Sequence, residues 1–195
     1  MICVTQVGQA EGSRAAAAAL ACAGAEPDLP ALLVELGDGR GPRPALVASA
    51  AARRLEERLV AHLPEARVAS RGRLCLLRLP ADEVGVGTLG AAAAVSRDLT
   101  CILQLPPHLL QPVIDEPGLS LSSVLLRADL CTDRALTALV ARDLTARGLR
   151  VGVSKRPLGR VASRLASFGV LPAREGAALP ARLVDRLLRD APSHS

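Results

Sequence analysis

Short apolar runs alternate along the chain with longer segments whose apolar positions recur every three or four residues. The short runs predict buried strands, because most of them lack a clean alternation of apolar and polar residues. These strands are Ile2–Thr5, Ala31–Leu36, Leu74–Leu79, Leu99–Leu105, Leu121–Arg127, Leu149–Ser154 and a short last strand at Gly169–Pro172. Strands of this kind are typical of a parallel sheet that is covered on both faces.

The longer segments predict helices. The alanine-rich run Ala15–Ala23 predicts one, and Pro44–Leu63 predicts an amphipathic one. Thr132–Arg147 predicts a third, which Gly148 can terminate. The other predicted helices are Leu89–Arg97, Leu158–Ser167, Ala178–Arg189 and a short helix within Leu109–Leu119 that is broken by Pro112 and Pro117.

The alternation of strands and helices predicts the α/β class, with a mainly parallel sheet flanked by helices. We expect six or seven strands, with Ile2–Thr5 central and Leu99–Leu105 beside or near it. No linker is long enough to divide the chain, so we expect a single domain over residues 1–190 and a flexible tail over 191–195.

The opening segment has the order strand, glycine turn, helix. Gly8 and Gly12 lie between the strand Ile2–Thr5 and the alanine helix. In this geometry backbone N–H groups and a helix N-terminus can face a phosphate. However, the lysine of such a loop is missing, because the only lysine of the chain is Lys155. The alternative is that the glycines only shape a tight turn.

Composition excludes several classes of protein. Half of the residues are apolar and the mean hydropathy is +0.30, but no uninterrupted apolar run reaches about 18 residues, so we expect no transmembrane segment. The N-terminus lacks a basic region ahead of an apolar run, so we expect a cytoplasmic protein without a signal peptide. Phe168 is the only aromatic residue, which leaves leucine, valine and alanine to build the core.

The formal net charge is +5, and arginine supplies 23 of the 24 basic residues. This excess indicates either a compositional bias or an anionic partner such as nucleic acid or a membrane surface. Because the arginines are scattered, we expect any DNA binding to be weak and nonspecific.

The cysteines predict reduced structural thiols. They are odd in number and show neither a CxxC motif nor a metal-ligand spacing. They are Cys3, Cys22, Cys75, Cys101 and Cys131. Three of them lie in predicted strands, and nothing indicates export, so we expect no disulfide framework.

No arrangement of side chains predicts a catalytic or metal site of another kind. His62, His108 and His194 form no Ser-His-Asp or Cys-His pattern that their spacing supports. Asp115 and Glu116 are adjacent acids in a proline-bounded loop, where a solvated role is expected.

Four segments, in their order and spacing, make the chain resemble the ParA/MinD family of deviant Walker-A ATPases, including its TadZ/CpaE branch. Val4–Ala23 resembles the strand, KGGxGK[ST]T loop and helix of the family. Leu99–Pro107 ends in QLPP and resembles the strand that ends in DTPP or DxPP. Val124–Arg147 resembles the next strand and its leucine-rich helix, and Gly169–Pro172 resembles the GxIP segment near the bound base. The resemblance implies a three-layer P-loop NTPase-like fold.

The family's phosphate loop is altered in this chain. Counted back from Leu20, Gly12 takes the place of the last loop glycine and Ser13 that of the Walker lysine. Arg14 takes the place of the Ser/Thr that binds Mg²⁺, and Gly8 that of the signature lysine. The resemblance therefore implies a degenerate phosphate loop at these positions.

Other family positions are altered as well. Gln104 replaces the aspartate of DTPP, and Glu35 occupies an acidic position at the end of the second strand, so both are degenerate switch positions. Ser154 falls where the family carries the asparagine that reads adenine. With Lys155 and Pro172 it forms the remnant of a base site.

Phosphoryl transfer depends on positioned charge around the phosphates, so these departures predict a protein without catalytic residues and without bound ATP or Mg²⁺. The expected role is a scaffold or regulator in pilus, secretion, partition or localisation machinery. It would act through a second copy or a protein partner on the face of the Gly8–Arg14 loop. The alternatives are an ATP-binding switch or weak ATPase with an atypical phosphate loop, and a nonspecific DNA-binding module.

Overall fold

The computed structural model describes residues 1–7, 13–25, 30–37, 50–61, 63, 68–71, 74–80, 90, 94, 99–128, 134–154 and 181–188. The predicted helix Leu158–Ser167, the predicted strand Gly169–Pro172 and the tail 191–195 lie outside these residues. So does most of the predicted helix Leu89–Arg97.

The described part of the chain forms one sheet of seven strands, in the order β3-β4-β2-β5-β1-β6-β7. The strands are β1 (Ile2–Val7), β2 (Ala31–Gly37), β3 (Val68–Arg71), β4 (Leu74–Pro80), β5 (Cys101–Gln104), β6 (Ser123–Ala128) and β7 (Arg150–Ser154). All neighbours are parallel except β3 and β4. β1 lies inside the sheet between β5 and β6, which confirms the predicted placement of the opening strand.

β3 is the strand that the sequence did not predict. It has four residues, of which two are polar, so it carries little of the apolar signal of the other strands. It pairs with β4 in antiparallel register from Val68 opposite Leu77 to Arg71 opposite Leu74. Two residues separate the strands in sequence, a spacing that is typical of a hairpin and could have indicated it.

Five α-helices accompany the sheet in the described residues: α1 (Ser13–Ala23), α2 (Ala50–Val60), α3 (Leu110–Ile114), α4 (Arg134–Ala146) and α5 (Ala181–Leu188). A 3-10 turn at Pro107–Leu109 precedes α3. The predicted short helix within Leu109–Leu119 is α3, which ends at Ile114, ahead of the predicted break at Pro117, whereas Pro112 lies within the helix and does not break it. No helix of the described residues is long and apolar enough to span a bilayer.

The helices cover both faces of the sheet, as predicted for a three-layer fold. α1 and α5 pack with one set of strand side chains, which includes Ile2 and Val4 of β1. The alternate positions, such as Cys3 and Val7, belong to the second core with α2 and α4. This division follows from the opposite directions of successive side chains along a strand.

The end of α4 has the predicted glycine. Gly148 has φ +82°, a conformation that residues with a Cβ rarely adopt. The amide of Gly148 donates to the carbonyl of Thr145, and the amide of Leu149 donates to that of Leu144. These bonds form a Schellman motif, which satisfies two carbonyls that the helix leaves free.

Candidate functional site

Polar side chains follow the apolar stretch of several strands at the carboxyl edge of the sheet, on the face that α1 covers. In register, Glu35 lies beside Arg78 and Gln104, and Arg127 lies beside Gln6 and Ser154. We call these six residues the carboxyl-edge row. Ligands of open parallel sheets bind at this edge, and α1 begins here because it follows β1.

Ser13, the first residue of α1, is bonded to two neutral side chains of the row. Its hydroxyl donates to Gln6 Oε1 at 3.3 Å and accepts from Gln104 Nε2 at 3.4 Å. Ser13 and Gln104 are both buried. Among the described residues Gln104 Oε1 has no hydrogen-bond partner, although it is buried. The first residue of α1 is therefore hydrogen-bonded to neutral side chains. In the resembled family, the positions of Ser13 and Gln104 carry a lysine and an aspartate.

Arg14, the second residue of α1, is paired with Glu35. Arg14 Nε lies 3.5 Å from Glu35 Oε1, and Arg78 Nε donates to Glu35 Oε2 at 2.8 Å. The Glu35 side chain is only 3% exposed, against 21% for Arg78 and 40% for Arg14. Both oxygens of one buried carboxylate are thus held by arginines from different elements, which gives charge-assisted contacts.

Arg127 connects the ends of β6 and β7. Its Nη1 donates to the carbonyl of Ser154 at 2.8 Å, and both residues are buried. Arg127 and the pair Arg14 and Arg78 bring three positive charges to this edge, while Glu35 brings one negative charge. Among the side chains of the row and the start of α1, arginines thus outnumber acidic residues.

The structure brings the predicted site residues together in two groups. Ser13 contacts Gln104, and Arg14 contacts Glu35, whereas Ser154 lies on β7 at the far side of β1. The remaining predicted residues, Gly8, Gly12, Lys155 and Pro172, lie outside the described residues.

Sequence reasoning missed three members of the row. Gln6, Arg78 and Arg127 each follow an apolar stretch within a strand and share the parity of its α1-facing positions. Their place in the alternation of each strand, on the side that faces α1, could have indicated them. The contact of Arg78 with Glu35 follows only from the pairing of β2 with β4, about 40 residues apart in sequence.

The described residues do not fit a magnesium-bound triphosphate. Both oxygens of Glu35 are engaged by arginines, and Gln104, at the position where the resembled family carries an aspartate, is a neutral amide. Within the described ranges no three metal-ligating side chains of His, Cys, Asp or Glu come together. Arg14 is a cation and cannot ligate Mg²⁺.

The cysteines of the described residues are free thiols away from this row. Cys3, Cys75 and Cys101 lie in strands as predicted, whereas Cys131 lies outside the described residues. Burial raises the pKa of Cys75 to about 11 and that of Cys101 to about 12. Thiols with such pKa values are poor nucleophiles at neutral pH, which agrees with a structural role.

Comparison with known proteins gives matches among solved structures alone: no protein-family model and no curated protein matches the sequence. A ParA family ATPase from Chlorobium tepidum TLS superposes with a TM-score of 0.56 at 16% identity, over 97% of this chain and 89% of that chain. The chain has a ParA/MinD-like fold. A chain of the MinC:MinD cell division protein complex from Aquifex aeolicus gives a TM-score of 0.52 at 14% identity, over 96% and 77% of the two chains.

These superpositions establish the ParA/MinD-like fold, and at such low sequence identities they establish nothing finer. The predicted α/β class, with a mainly parallel sheet between helices, is confirmed. Within this fold the row and the start of α1 lie at the edge where parallel sheets bind ligands.

Proposed function

We propose that this protein is a non-catalytic ParA/MinD-like protein of the cytoplasm that acts as a scaffold or regulator. The observation that carries the proposal is the set of bonds at the start of α1. Ser13 and Arg14, which stand at the resembled positions of the Walker lysine and the Mg²⁺ ligand, are bonded to Gln6, Gln104 and Glu35.

The physical reason is the loss of positioned charge. Phosphoryl transfer requires cations around the phosphates, and removing one such stabilising group typically slows the reaction about 100-fold or more. Here a serine replaces the lysine and an amide replaces the aspartate, so both stabilising groups are lost together. We expect no ATP hydrolysis above background.

The proposed mode of action is protein contact at the carboxyl edge. Arg14 is 40% exposed, and it makes no hydrogen bond or ion pair other than that to Glu35 among the described residues. A guanidinium in this position can bind a carboxylate of a partner or of a second copy in a bidentate manner. The MinC:MinD structure shows a protein of the same fold in complex with another protein.

The pathway is the most specific part of the proposal. The TadZ/CpaE-like resemblance favours pilus or secretion machinery, with partition or localisation machinery as the other setting. Copurification with the products of neighbouring genes tests this. A pilus or secretion motor among the captured proteins would support the proposal.

Nucleotide binding is the first test. We expect calorimetry to give a dissociation constant for ATP–Mg²⁺ weaker than about 1 mM. The control is Ser13→Asp, which places a negative charge at the start of α1 and would repel phosphate. Micromolar binding by the wild type that Ser13→Asp abolishes would overturn the proposal.

Assembly is the second test. Light scattering after size exclusion should show a dimer, or a complex with a neighbouring gene product, and Arg14→Gln should weaken it about tenfold or more. Arg142→Gln is the matched control, because it removes an exposed arginine in the second half of α4, toward the helix end that precedes β7 and lies opposite the carboxyl edge. A strict monomer without a partner, together with an Arg14→Gln variant that behaves as the wild type, would contradict the proposal.

An ATP-binding switch is the second candidate, favoured by the 40% exposed side chain of Arg14 at the start of α1. Arginine can hold phosphate without lysine. The calorimetry described above separates the two candidates, since the switch requires binding that Ser13→Asp removes.

A further inference from the structure

Glu35 is the buried centre of a three-residue ion cluster. It lies on β2, with Arg78 directly beside it on β4 and Arg14 reaching it from α1. We call Arg14, Glu35 and Arg78 the edge triad. An unpaired buried carboxylate would be costly, and the contacts with the two arginines offset that cost.

Arg14 and Arg78 both reach the carboxylate of Glu35. Without Glu35, two guanidinium groups from different elements would converge on one point of the carboxyl edge. Paired arginines of this kind bind phosphate-type oxyanions, because the forks of their N–H groups match the spacing of the oxygens. The Glu35 carboxylate occupies that point with Oε1 toward Arg14 and Oε2 toward Arg78.

An intramolecular carboxylate is a strong competitor for such a point. It is held in place by the sheet, so its effective concentration near the arginines exceeds that of a free anion. A free oxyanion would have to displace it and leave a buried charge without a partner, which is unfavourable.

We infer that Glu35 acts as an internal counter-anion that closes a phosphate-type oxyanion site formed by Arg14 and Arg78. The inference rests on the proposed function, since it states what keeps the degenerate site free of phosphate. It adds that the arginines retain the capacity to bind an oxyanion when the Glu35 carboxylate is removed by substitution. The site therefore is masked by one side chain, in addition to lacking the lysine.

The test measures the binding of inorganic pyrophosphate by calorimetry at constant ionic strength. We expect Glu35→Gln to bind pyrophosphate at least about tenfold more tightly than the wild type. The double variant Glu35→Gln/Arg14→Met should lose this gain, because it removes one of the two arginines. Equal binding by the wild type and Glu35→Gln would overturn the inference, as would a gain that survives in the double variant.

Asp115→Asn is the matched control for charge. Asp115 pairs with Arg147 at 3.3 Å, and both side chains are more than a third exposed. The substitution therefore changes the net charge as Glu35→Gln does and also removes a carboxylate from an arginine, but at the surface. It should leave pyrophosphate binding unchanged. An equal gain in Asp115→Asn would assign the effect to net charge and overturn the inference.

If Glu35→Gln does not fold, nuclear magnetic resonance of the wild type provides a second test. We expect the Nε–H resonances of Arg14 and Arg78 to keep their positions when pyrophosphate is added at micromolar concentrations. A shift there would show an open site and overturn the inference. Tight ATP–Mg²⁺ binding by the wild type would instead refute the proposed function, so the two failures are distinguishable.

Discussion

At the scale of single residues, Gly24 lies where the end of α1 meets the start of β5. Its amide donates to the carbonyl of Leu20 at 3.0 Å and completes the last turn of the helix. A methyl group at this position would lie 2.7 Å from Thr100 Cγ2 and 3.1 Å from Leu188 Cδ2. The close approach of α1 to the sheet therefore depends on the absence of a side chain here.

We expect Gly24→Ala to destabilise the protein by about 1–3 kcal/mol, the usual cost of overpacking. The threonine cannot easily move away, because β-branched side chains are restricted at χ1. Urea unfolding monitored by circular dichroism measures the change. Thr100→Ser removes the obstructing methyl group, so it should recover most of the loss in the double variant.

Gly118→Ala is the matched control for this experiment. The nearest atom to a methyl group at Gly118 is Glu116 Oε1 at 3.6 Å, an ordinary contact distance. We expect a change within about 0.5 kcal/mol. If Gly24→Ala proved equally mild, the packing of α1 on β5 would be looser than the structure indicates.

At the scale of elements, α5 is attached to the sheet by a buried hydroxyl as well as by its leucines. Ser123 Oγ, at the start of β6, donates to the carbonyl of Leu187 at 3.1 Å. The same oxygen accepts from Arg150 Nε at 3.2 Å. Ser123 is completely buried, so its hydroxyl satisfies a carbonyl in the last turn of α5 that water does not replace.

We expect Ser123→Ala to destabilise the protein by about 1–3 kcal/mol, since it leaves a buried acceptor without a donor. Hydrogen exchange should show faster exchange at α5 than elsewhere, because this bond holds its end. Thr145→Ala is the control: its exposed hydroxyl donates to the carbonyl of Ala141 within α4, and its loss should be nearly neutral. Uniform acceleration over all helices would contradict a local role.

Most of the strands could be predicted from the sequence, whereas their side-chain contacts could not. Six strands were found because their apolar runs are strong and their helices lie between them. β3 was not found, because an edge strand is covered on fewer sides and needs fewer apolar residues. Within the candidate site, the order of segments directed attention to Ser13, Arg14, Glu35 and Gln104, but it did not predict their pairing. The contact of Arg14 with Glu35, and the part that Arg78 takes in it, depend on strand register, which local patterns do not encode.

At the scale of the whole molecule, we expect the buried cysteines to govern how the stability changes at alkaline pH. The chain has no tyrosine and one lysine, so few other groups ionise between about pH 9 and 11. Burial raises the pKa of Cys75 to about 11 and that of Cys101 to about 12 from an ordinary value of 9.0. The unfolded chain therefore loses these protons at a lower pH than the folded protein.

The sign of the effect follows from linkage. A group whose pKa is higher in the folded state contributes its stability below the unfolded pKa and loses it as pH rises toward the folded pKa. We expect the free energy of unfolding to fall from about pH 9 upward, by as much as about 1.4 kcal/mol per pH unit for each buried thiol. Urea midpoints under reducing conditions at pH 8.5 and 10.5 measure the fall.

Cys101→Ala tests the assignment of this pH effect. The variant should be less stable at pH 8.5, because it loses buried volume, but its stability should fall less between pH 8.5 and 10.5. A fall of the same size in the variant and the wild type would assign the effect to other groups. Constant stability of the wild type over that interval would contradict the predicted effect of the buried thiols.

The interior position of β1 has a consequence for synthesis on the ribosome. Its two neighbours come much later in the chain, since Ile2 pairs with Ile102 on one side and with Ser123 on the other. At translation rates of about 5–20 residues per second, the first apolar strand waits on the order of 5–20 seconds for its first partner. Nascent chains that stop before Cys101 should therefore be bound by chaperones and cleaved by proteases, while chains extended past Ala128 become protected.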